Sequence, residues 1–385
     1  MKMTETVKLF YEDSHMHEFN ATVLSCQPDG NTYRVVLDRT AFFPEGGGQY
    51  GDIGTLNGVK VVDTREKDGI VYHRTEAPIE EGSTVHGSLD WEVRFERMQQ
   101  HSGEHIISGI VHRRFGYENV GFHLGEDYCT MDFNGPITKE QLKEIEIEAN
   151  EAIFRDIDIL TTTPTKEELK NMEYRSKIEI EGQVRIVTIP GYDVCACCAP
   201  HLTKTGEIGL IKLVDMTNYK GGERINMLSG RRALKDYAAK QENAKAIGTL
   251  LCEKENEIAG AVEHLKEEQI SLKSKVADLQ QQLLRYKAQE VDVTADVVTV
   301  FDESLSGNGP REMMNLLLER GANVCAVFAG NDADGYRYVV GSKNVDVRPY
   351  SKLLNSRFNG RGGGKPEMVQ GSLKGLKEEI SKALK

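Results

Sequence analysis

Two short clusters carry the residue types that bind metals. His101-Ser102-Gly103-Glu104-His105 sets two imidazoles four residues apart. On a helix these leave the same face one turn apart, the separation at which one helix gives a tetrahedral ion two nitrogen ligands. Cys197-Cys198-Ala199-Pro200-His201 sets a thiolate and an imidazole four apart in a proline-containing loop. Together they offer a His/His/Cys/His shell suited to zinc. Cys195 and Cys198 are alternatives to Cys197, and His112, two turns from His105, is a poorer one. Four protein ligands would close the shell and make the ion structural, whereas catalysis needs an exchangeable position; both readings stay open at this level. The first cluster also reads H-x-x-E-H, the inverted zinc-peptidase motif with Glu104 as general base. That reading has no use for the second cluster, so Glu104 is expected at the surface or behind the ligands.

Something must hold these clusters together. Asp90 is a good N-cap, and from Trp91 to Phe115 there is no proline, with Arg113, Arg114 and then Gly116 at the end. The pattern predicts a helix of about 25 residues carrying both histidines. A second helix begins at the capping box Thr138-x-x-Gln141, and strands are expected at 185–189 and 209–215. Residues 91–235 thus read as an α+β domain. Ahead of it, runs at 21–26, 32–38, 58–64, 70–75 and 84–90 alternate with turn formers, including Asp68-Gly69, and predict a small β-barrel over 1–90. Within it, Phe42-Phe-Pro-Glu-Gly-Gly-Gly-Gln49 cannot be a regular strand interior. It is either a flexible loop or backbone that closely approaches a ligand.

Residues 236–290 lack proline. Ile258, Val262, Leu265, Gln269, Leu272, Val276, Leu279, Leu283 and Tyr286 alternate spacings of four and three, a sustained heptad. This predicts a coiled-coil rod of roughly 40 Å, or an intrachain helical hairpin. From 291 to 385 strands and helices alternate as in a compact α/β domain, interrupted by a glycine-dense loop at 359–371 that holds Arg361 and Lys365. No P-loop spacing is present, which argues against nucleotide or ATP binding. The fold class expected is a multi-domain α+β chain: β-barrel, α+β metal-binding domain, coiled-coil segment and C-terminal α/β domain.

The 385 residues are 39% hydrophobic and 28% charged, with a net charge of -12. Seven cysteines, three of them within four positions, suit a reducing compartment better than a disulfide framework. No apolar run reaches about 18 residues, and the first residues lack a signal-peptide core, so a soluble, cytoplasmic protein is expected. The negative sum argues against a nucleic-acid partner only until it is resolved along the chain. Residues 1–90 sum to -7 and 136–200 to -5, but 201–235 sum to +4 and 350–385 to +5. Lys220, Arg224, Arg361 and Lys365 lie in the two basic stretches, which would suit an extended RNA contacted through phosphates.

The ordered set FFPEGGGQ (42–49), HSGEH (101–105), CCAPH (197–201), GLIKLVD with GGERI (209–225) and GRGGGKPEMVQG (360–371) resembles the editing and C-terminal portions of alanyl-tRNA synthetase. More closely, it resembles the free-standing alanyl-tRNA editing proteins of the long type, and no trace of a class II aminoacylation domain is expected. The resemblance implies hydrolysis in trans of tRNA(Ala) mischarged with serine or glycine, and a translation-factor-like barrel at 1–90. It implies an editing domain at 91–235 with zinc on His101, His105, Cys197 and His201, a coiled-coil linker at 236–290, and a DHHA1-like domain at 291–385. Gln49 matches and Asn119 and Gly121 align with pocket positions of the family, while the heptad seam and the C-terminal domain of this sequence lead us to expect a homodimer. Two departures stand out. Many relatives have C-G-G-T-H where this chain has Cys197 to His201, and a serine where it has Phe122. The readings from other classes are a tRNA-binding or dimerisation module with structural zinc, and the peptidase.

Overall fold

The computed structural model describes residues 4–176 and 183–385, and the chain divides into two compact units, Met1–Ala246 and Ile247–Lys385. The architecture is a multi-domain α+β one.

Six strands of the first unit form its N-terminal barrel: β1 (Glu18–Asp29), β2 (Thr32–Leu37), β3 (Gly54–Leu56), β4 (Val59–Lys67), β5 (Ile70–Thr75) and β6 (Thr84–Leu89). They close as a barrel in the order β1-β2-β5-β4-β3-β6, with β6 returning to β1. The period-two pattern of β1 shows why: Phe19, Ala21 and Val23 are buried while Glu18, Asn20 and Thr22 are exposed. Asp68 and Gly69 both have positive φ, 53° and 79°, the tight turn whose twist matches β4 and β5.

Helix α1 (Trp91–Phe115) is capped by the Asp90 side chain on the Val93 N–H and ends at left-handed Gly116. Every residue from Met98 to Val111 is buried, so the helix runs through the core rather than over it. Two glycines permit this. A Cβ at Gly103 would meet Ser229 Oγ at 2.6 Å, and one at Gly109 would meet the Tyr192 carbonyl at 2.2 Å. A four-stranded sheet packs beside it, made of β7 (Asn119–Leu124), β8 (Cys129–Phe133), β12 (Ile211–Tyr219) and β13 (Gly222–Ser229) in the order β12-β13-β8-β7. Helix α2 (Lys139–Phe154) starts at the predicted capping box and buries Ile145, Ala149 and Ile153. Strands β9 (Leu160–Thr162), β10 (Ile186–Ile189) and β11 (Asp193–Ala196) form a separate three-stranded sheet that delivers the second cysteine cluster. Strands β7 and β8 had no counterpart in the sequence reading, although Cys129, Met131 and Phe133 alternate as a half-buried strand does.

The expected continuous rod over 236–290 is interrupted. Helix α3 (Gly230–Leu251) begins ahead of the expected boundary at 235/236, and the chain turns at Cys252, whose φ is +56°. Helix α4 (Ile258–Glu290) follows and holds the whole heptad. In the second unit a five-stranded sheet has the order β14-β15-β16-β18-β17, from β14 (Val297–Phe301), β15 (Val324–Asn331), β16 (Gly335–Ser342), β17 (Arg361–Lys365) and β18 (Met368–Leu373). Helices α5 (Gly309–Glu319), α6 (Arg348–Arg357) and α7 (Lys377–Ala383) complete it, and α6 had no counterpart in the sequence reading.

The glycine-dense loop expected at 359–371 is instead the β17–β18 hairpin. A Cβ at Gly362 would lie 2.5 Å from the Gln370 carbonyl, and one at Gly364 2.3 Å from that of Met368. The glycines are there because two backbones approach closely. Strand β18 runs to Leu373, and the last helix begins only at Lys377. Among the described residues no helix is long and apolar enough to cross a membrane.

Candidate metal centre

The polar run on α1 is the anomaly from which the site is built. Gln99, Gln100, His101, Ser102, Glu104, His105 and Ser108 are all buried on one helix, so each needs a partner. Gln100 exchanges bonds with the Ser229 backbone, 2.8 Å each way. The histidines turn the other way, toward the loop after β11.

There His101, His105, Cys197 and His201 present donor atoms all within 4.8 Å of one another, every one buried. The Nε2 atoms of His101 and His201 stand 3.5 and 3.4 Å from Cys197 Sγ. Each imidazole is held from behind through Nδ1: His101 by Gln49 Oε1 at 3.0 Å, His105 by Asp193 Oδ2 at 2.9 Å and His201 by Ser102 Oγ at 3.2 Å. A bond at Nδ1 fixes the tautomer that leaves Nε2 for the centre, the arrangement found behind metal-bound histidines. Three imidazoles and one sulfur so oriented fit a metal ion.

The electrostatics agree with the geometry at the thiol. Burial alone would raise the Cys197 thiol, but the His101 and His201 rings beside it hold its pKa well below the ordinary value. His105 is depressed by burial, yet its bond to Asp193 brings it up to about 9. Asp193 receives the Arg175 guanidinium bidentately at 2.8 and 2.9 Å, with both side chains buried. Arg185 donates to the carbonyls of Cys197 at 3.1 Å and Ala199 at 2.8 Å, bracing the loop that carries two donors.

Of the alternative ligands, Cys195 stays out of the four-donor group and its thiol is pushed up by burial. Cys198 is exposed as a residue, but its sulfur lies against Gly46 and Gly47, and that enclosure of the sulfur pushes the thiol up to about 11. His112 pairs with Glu118 at 3.0 Å. Glu104 is fully buried, which removes the surface half of its expected placement. Its Oε1 accepts from Ser108 Oγ at 2.5 Å and Asn119 Nδ2 at 2.7 Å, and its Oε2 lies 4.0 Å from His105 Nε2.

The FFPEGGGQ segment is a built loop. Phe42 N–H donates to Thr40 Oγ1, Phe43 N–H to Asp52 Oδ2 and Glu45 N–H to the Thr64 carbonyl. Asp52 is in turn bound by Arg94 of α1 through Nε at 2.9 Å and Nη2 at 2.5 Å, a fully buried ion pair that joins barrel to helix. Gly47 and Gly48 have φ of +60° and +81°, and a Cβ at Gly48 would sit 2.5 Å from the Phe122 ring. The result places Gln49, only 1% exposed, against His101. Its Nε2 is buried with no hydrogen-bond partner. The Phe122 ring lies 4.9 Å from the His101 ring.

Asn119 and Gly121 form part of the wall behind. The Asn119 amide donates to Glu104 and to Ser108 Oγ at 2.9 Å, and accepts from Gly121 N–H at 3.2 Å. Of the cations singled out for RNA, Arg224 is engaged bidentately with Asp132 at 2.6 and 2.7 Å and covers the Tyr219 ring at 3.8 Å. Lys220 occupies the β12–β13 turn at φ +48°, with its ammonium over the same ring. Arg361 and Lys365 end the exposed edge strand β17 in the other unit. Asp193, Arg175 and Ser102 were missed by the sequence reading. Ser102 sat inside the first motif and Asp193 four residues before Cys197, but neither spacing announces a contact.

Comparison with known proteins places these features in a family context. A model described as tRNA synthetases class II (A) matches residues 3–93. The model for the threonyl and alanyl tRNA synthetase second additional domain matches 184–227, and the DHHA1 domain matches 294–385. The class II match falls on the barrel region, so the expectation of no class II trace needs that amendment. The alanyl-tRNA editing protein AlaX-L of Pyrococcus horikoshii is 28% identical over 402 aligned positions, covering 97% of this chain and 96% of its own. The alanyl-tRNA editing protein Aarsd1 of Rattus norvegicus is 29% identical, with 94% and 93% covered. The alanine–tRNA ligase of Pyrococcus abyssi is 30% identical over 99% of this chain, which spans 43% of the ligase. In motif order and in extent, the chain resembles the free-standing alanyl-tRNA editing proteins of the long AlaX-L type.

Proposed function

We propose that this protein is an aminoacyl-tRNA deacylase that acts in trans on tRNA(Ala) mischarged with serine or glycine, with zinc at the His101, His105, Cys197 and His201 centre. The observation that carries the reading is the orphaned Gln49 Nε2 at the edge of that centre: a buried donor costs free energy unless something binds it. The alanyl-tRNA editing proteins that match nearly the whole chain supply the substrate class.

When bound, zinc would supply a Lewis acid for the ester carbonyl and a water of lowered pKa. The chain's own residues do the rest. His101 Nδ1–H donates to Gln49 Oε1, which turns the amide so that Nε2 is left to donate to the substrate's carbonyl oxygen. Phe122 beside His101 narrows the space for the amino acid, consistent with serine or glycine. Editing is needed because one small group changes binding by only about 1–3 kcal/mol, so a synthetic site alone discriminates weakly.

Lys220, Arg361 and Lys365 are the cations proposed to meet phosphates; Arg224 is occupied by Asp132 and supports the hairpin that presents Lys220. The heptad face of α4 is proposed to take the same face of a second copy. A structural metal in a tRNA-binding module and a peptidase are the competing readings. Glu104 is poorly disposed as a peptidase base, since Ser108 and Asn119 occupy one of its oxygens. The test is release of amino acid from Ser-, Gly- and Ala-tRNA(Ala) by the wild type and by His101→Ala. Serine or glycine release by the wild type alone supports deacylation; no release by either supports the binding module, and peptide cleavage the third reading. A rate unchanged after zinc removal, with the fold intact, would make the metal structural.

A further inference from the structure

On both segments that border the metal centre, one residue faces inward and the next lies on the surface. Gln49 is buried against His101 and Tyr50 is 40% exposed; Phe122 packs on the His101 ring and His123 is exposed. The two outward rings meet edge to face, centroids 6.0 Å apart at 80°. Consecutive Cα atoms are about 3.8 Å apart, so this aromatic pair sits one residue outside the reacting position on each segment. The segments are themselves tied together, with Leu124 N–H donating to the Gly48 carbonyl at 3.3 Å. Beneath Tyr50, Arg97 brings its guanidinium carbon to 5.9 Å from the ring centre and is fixed by a 2.8 Å bond to the Gly51 carbonyl. The platform is rigid on its inner side and open on its outer side.

We infer that the Tyr50–His123 pair is the subsite for the 3′-terminal nucleobase of the aminoacylated RNA. The inference rests on the deacylase reading for its chemistry. An aminoacyl ester is joined to the ribose of the terminal nucleotide, and only that ribose separates the base from the bond to be cut. With the ester at Gln49 and the metal donors, the base must lie on the rim. An exposed aromatic face backed by a cation is what a nucleobase stacks on, whatever its sequence. Tyr11 is exposed to a similar degree, but two cations crowd it, Arg185 at 5.4 Å and Lys8 at 5.9 Å from its centre, where Tyr50 has Arg97 at 5.9 Å.

The test uses the full chain and a non-acylated RNA minihelix of acceptor-stem sequence whose terminal adenine is replaced by 2-aminopurine, a base whose fluorescence falls on stacking. Binding is followed separately by anisotropy. Quenching is expected with the wild type, retained in Tyr50→Phe and lost in Tyr50→Ala, and His123→Ala should weaken it. In deacylation of Ser-tRNA(Ala), Tyr50→Ala should raise KM roughly tenfold or more with kcat unchanged, in keeping with the measured worth of base–aromatic stacking. The inference is overturned if the wild type binds the minihelix without quenching, if it does not bind at all, or if Tyr50→Ala and His123→Ala both quench as the wild type does. Quenching by a wild type that releases no amino acid would sink the deacylase reading and leave the platform standing. Serine release with an unchanged KM in Tyr50→Ala would do the reverse.

Discussion

Asp193 shows how a residue with no role in any sequence motif decides a site. Its carboxylate receives the Arg175 fork on both oxygens and His105 Nδ1 on Oδ2, so the ring cannot rotate away from the centre. Partners of this kind are worth 10–100-fold in metal affinity. Asp193→Asn is therefore expected to weaken zinc binding by about that factor in a competitive chelator titration, while circular dichroism remains native. The Arg94–Asp52 pair acts on the other border of the site. Both side chains are about 1% exposed, and Asp52 also holds the Phe43 N–H that starts the glycine loop. Removing one charge leaves the other buried, so Arg94→Met should cost about 3–5 kcal/mol in denaturant unfolding. The companion double variant Arg94→Met/Asp52→Leu should recover most of that loss, because a buried pair replaced as a unit is nearly neutral.

At the scale of elements, α4 is the segment whose packing inside the chain is least complete. Its last turns bury Leu284 and Ala288 against the C-terminal domain. Leu265, Leu272, Val276, Leu279 and Leu283 are all more than half exposed. A seam with alternating spacings of four and three fits a like helix better than it fits water. Leu272→Asp/Leu279→Asp should shift the chain from dimer to monomer in sedimentation velocity at micromolar concentration, with deacylation measured alongside. A wild type that sediments as a monomer would dismiss the dimer. The glycine loop makes the complementary point about elements: short and without periodic signal, it is nevertheless positioned by three backbone bonds and one ion pair.

For the molecule as a whole, stability against acid is set partly by a residue in the barrel, His73, outside the candidate metal centre. His73 is fully buried in the barrel, its Nδ1–H donating to the Val35 carbonyl at 3.2 Å and its Nε2 accepting from Thr40 at 2.8 Å. Burial disfavours the charged ring and lowers its pKa from 6.5 to about 4. Between those values the unfolded chain binds the proton and the folded chain does not, so stability rises with pH across that window. The sign means that stability is lost as pH falls below 6.5, by about 3 kcal/mol once pH 4 is reached. His73→Gln should flatten that part of the pH profile of the melting temperature; an unchanged slope would assign it elsewhere. The charge distribution predicts a second global property. With basic sums confined to 201–235 and 350–385, RNA affinity should fall steeply with salt, and an affinity measured by filter binding that ignores salt would remove phosphate contact as its basis.

Much of this was legible from residues alone. Capping residues and helical spacing marked α1 and α2, short runs between turn formers marked the barrel, and His101, His105 and His201 with one of three nearby cysteines stood out as candidate metal donors by type and spacing. These are local properties, carried by a few neighbours along the chain. What the sequence could not show is what depends on distant backbone. Cys197 rather than Cys195 or Cys198 joins the histidines because the turn after β11 points that sulfur inward. Glu104 is buried because α1 crosses the core, and Gly362 and Gly364 sit in a strand where a neighbouring backbone lies too close for a Cβ. Composition and spacing determined which atoms could bind a metal. Only tertiary packing decided which of them meet, and which side chains hold them there, because those contacts join residues as far apart as Gln49, His101 and Asp193.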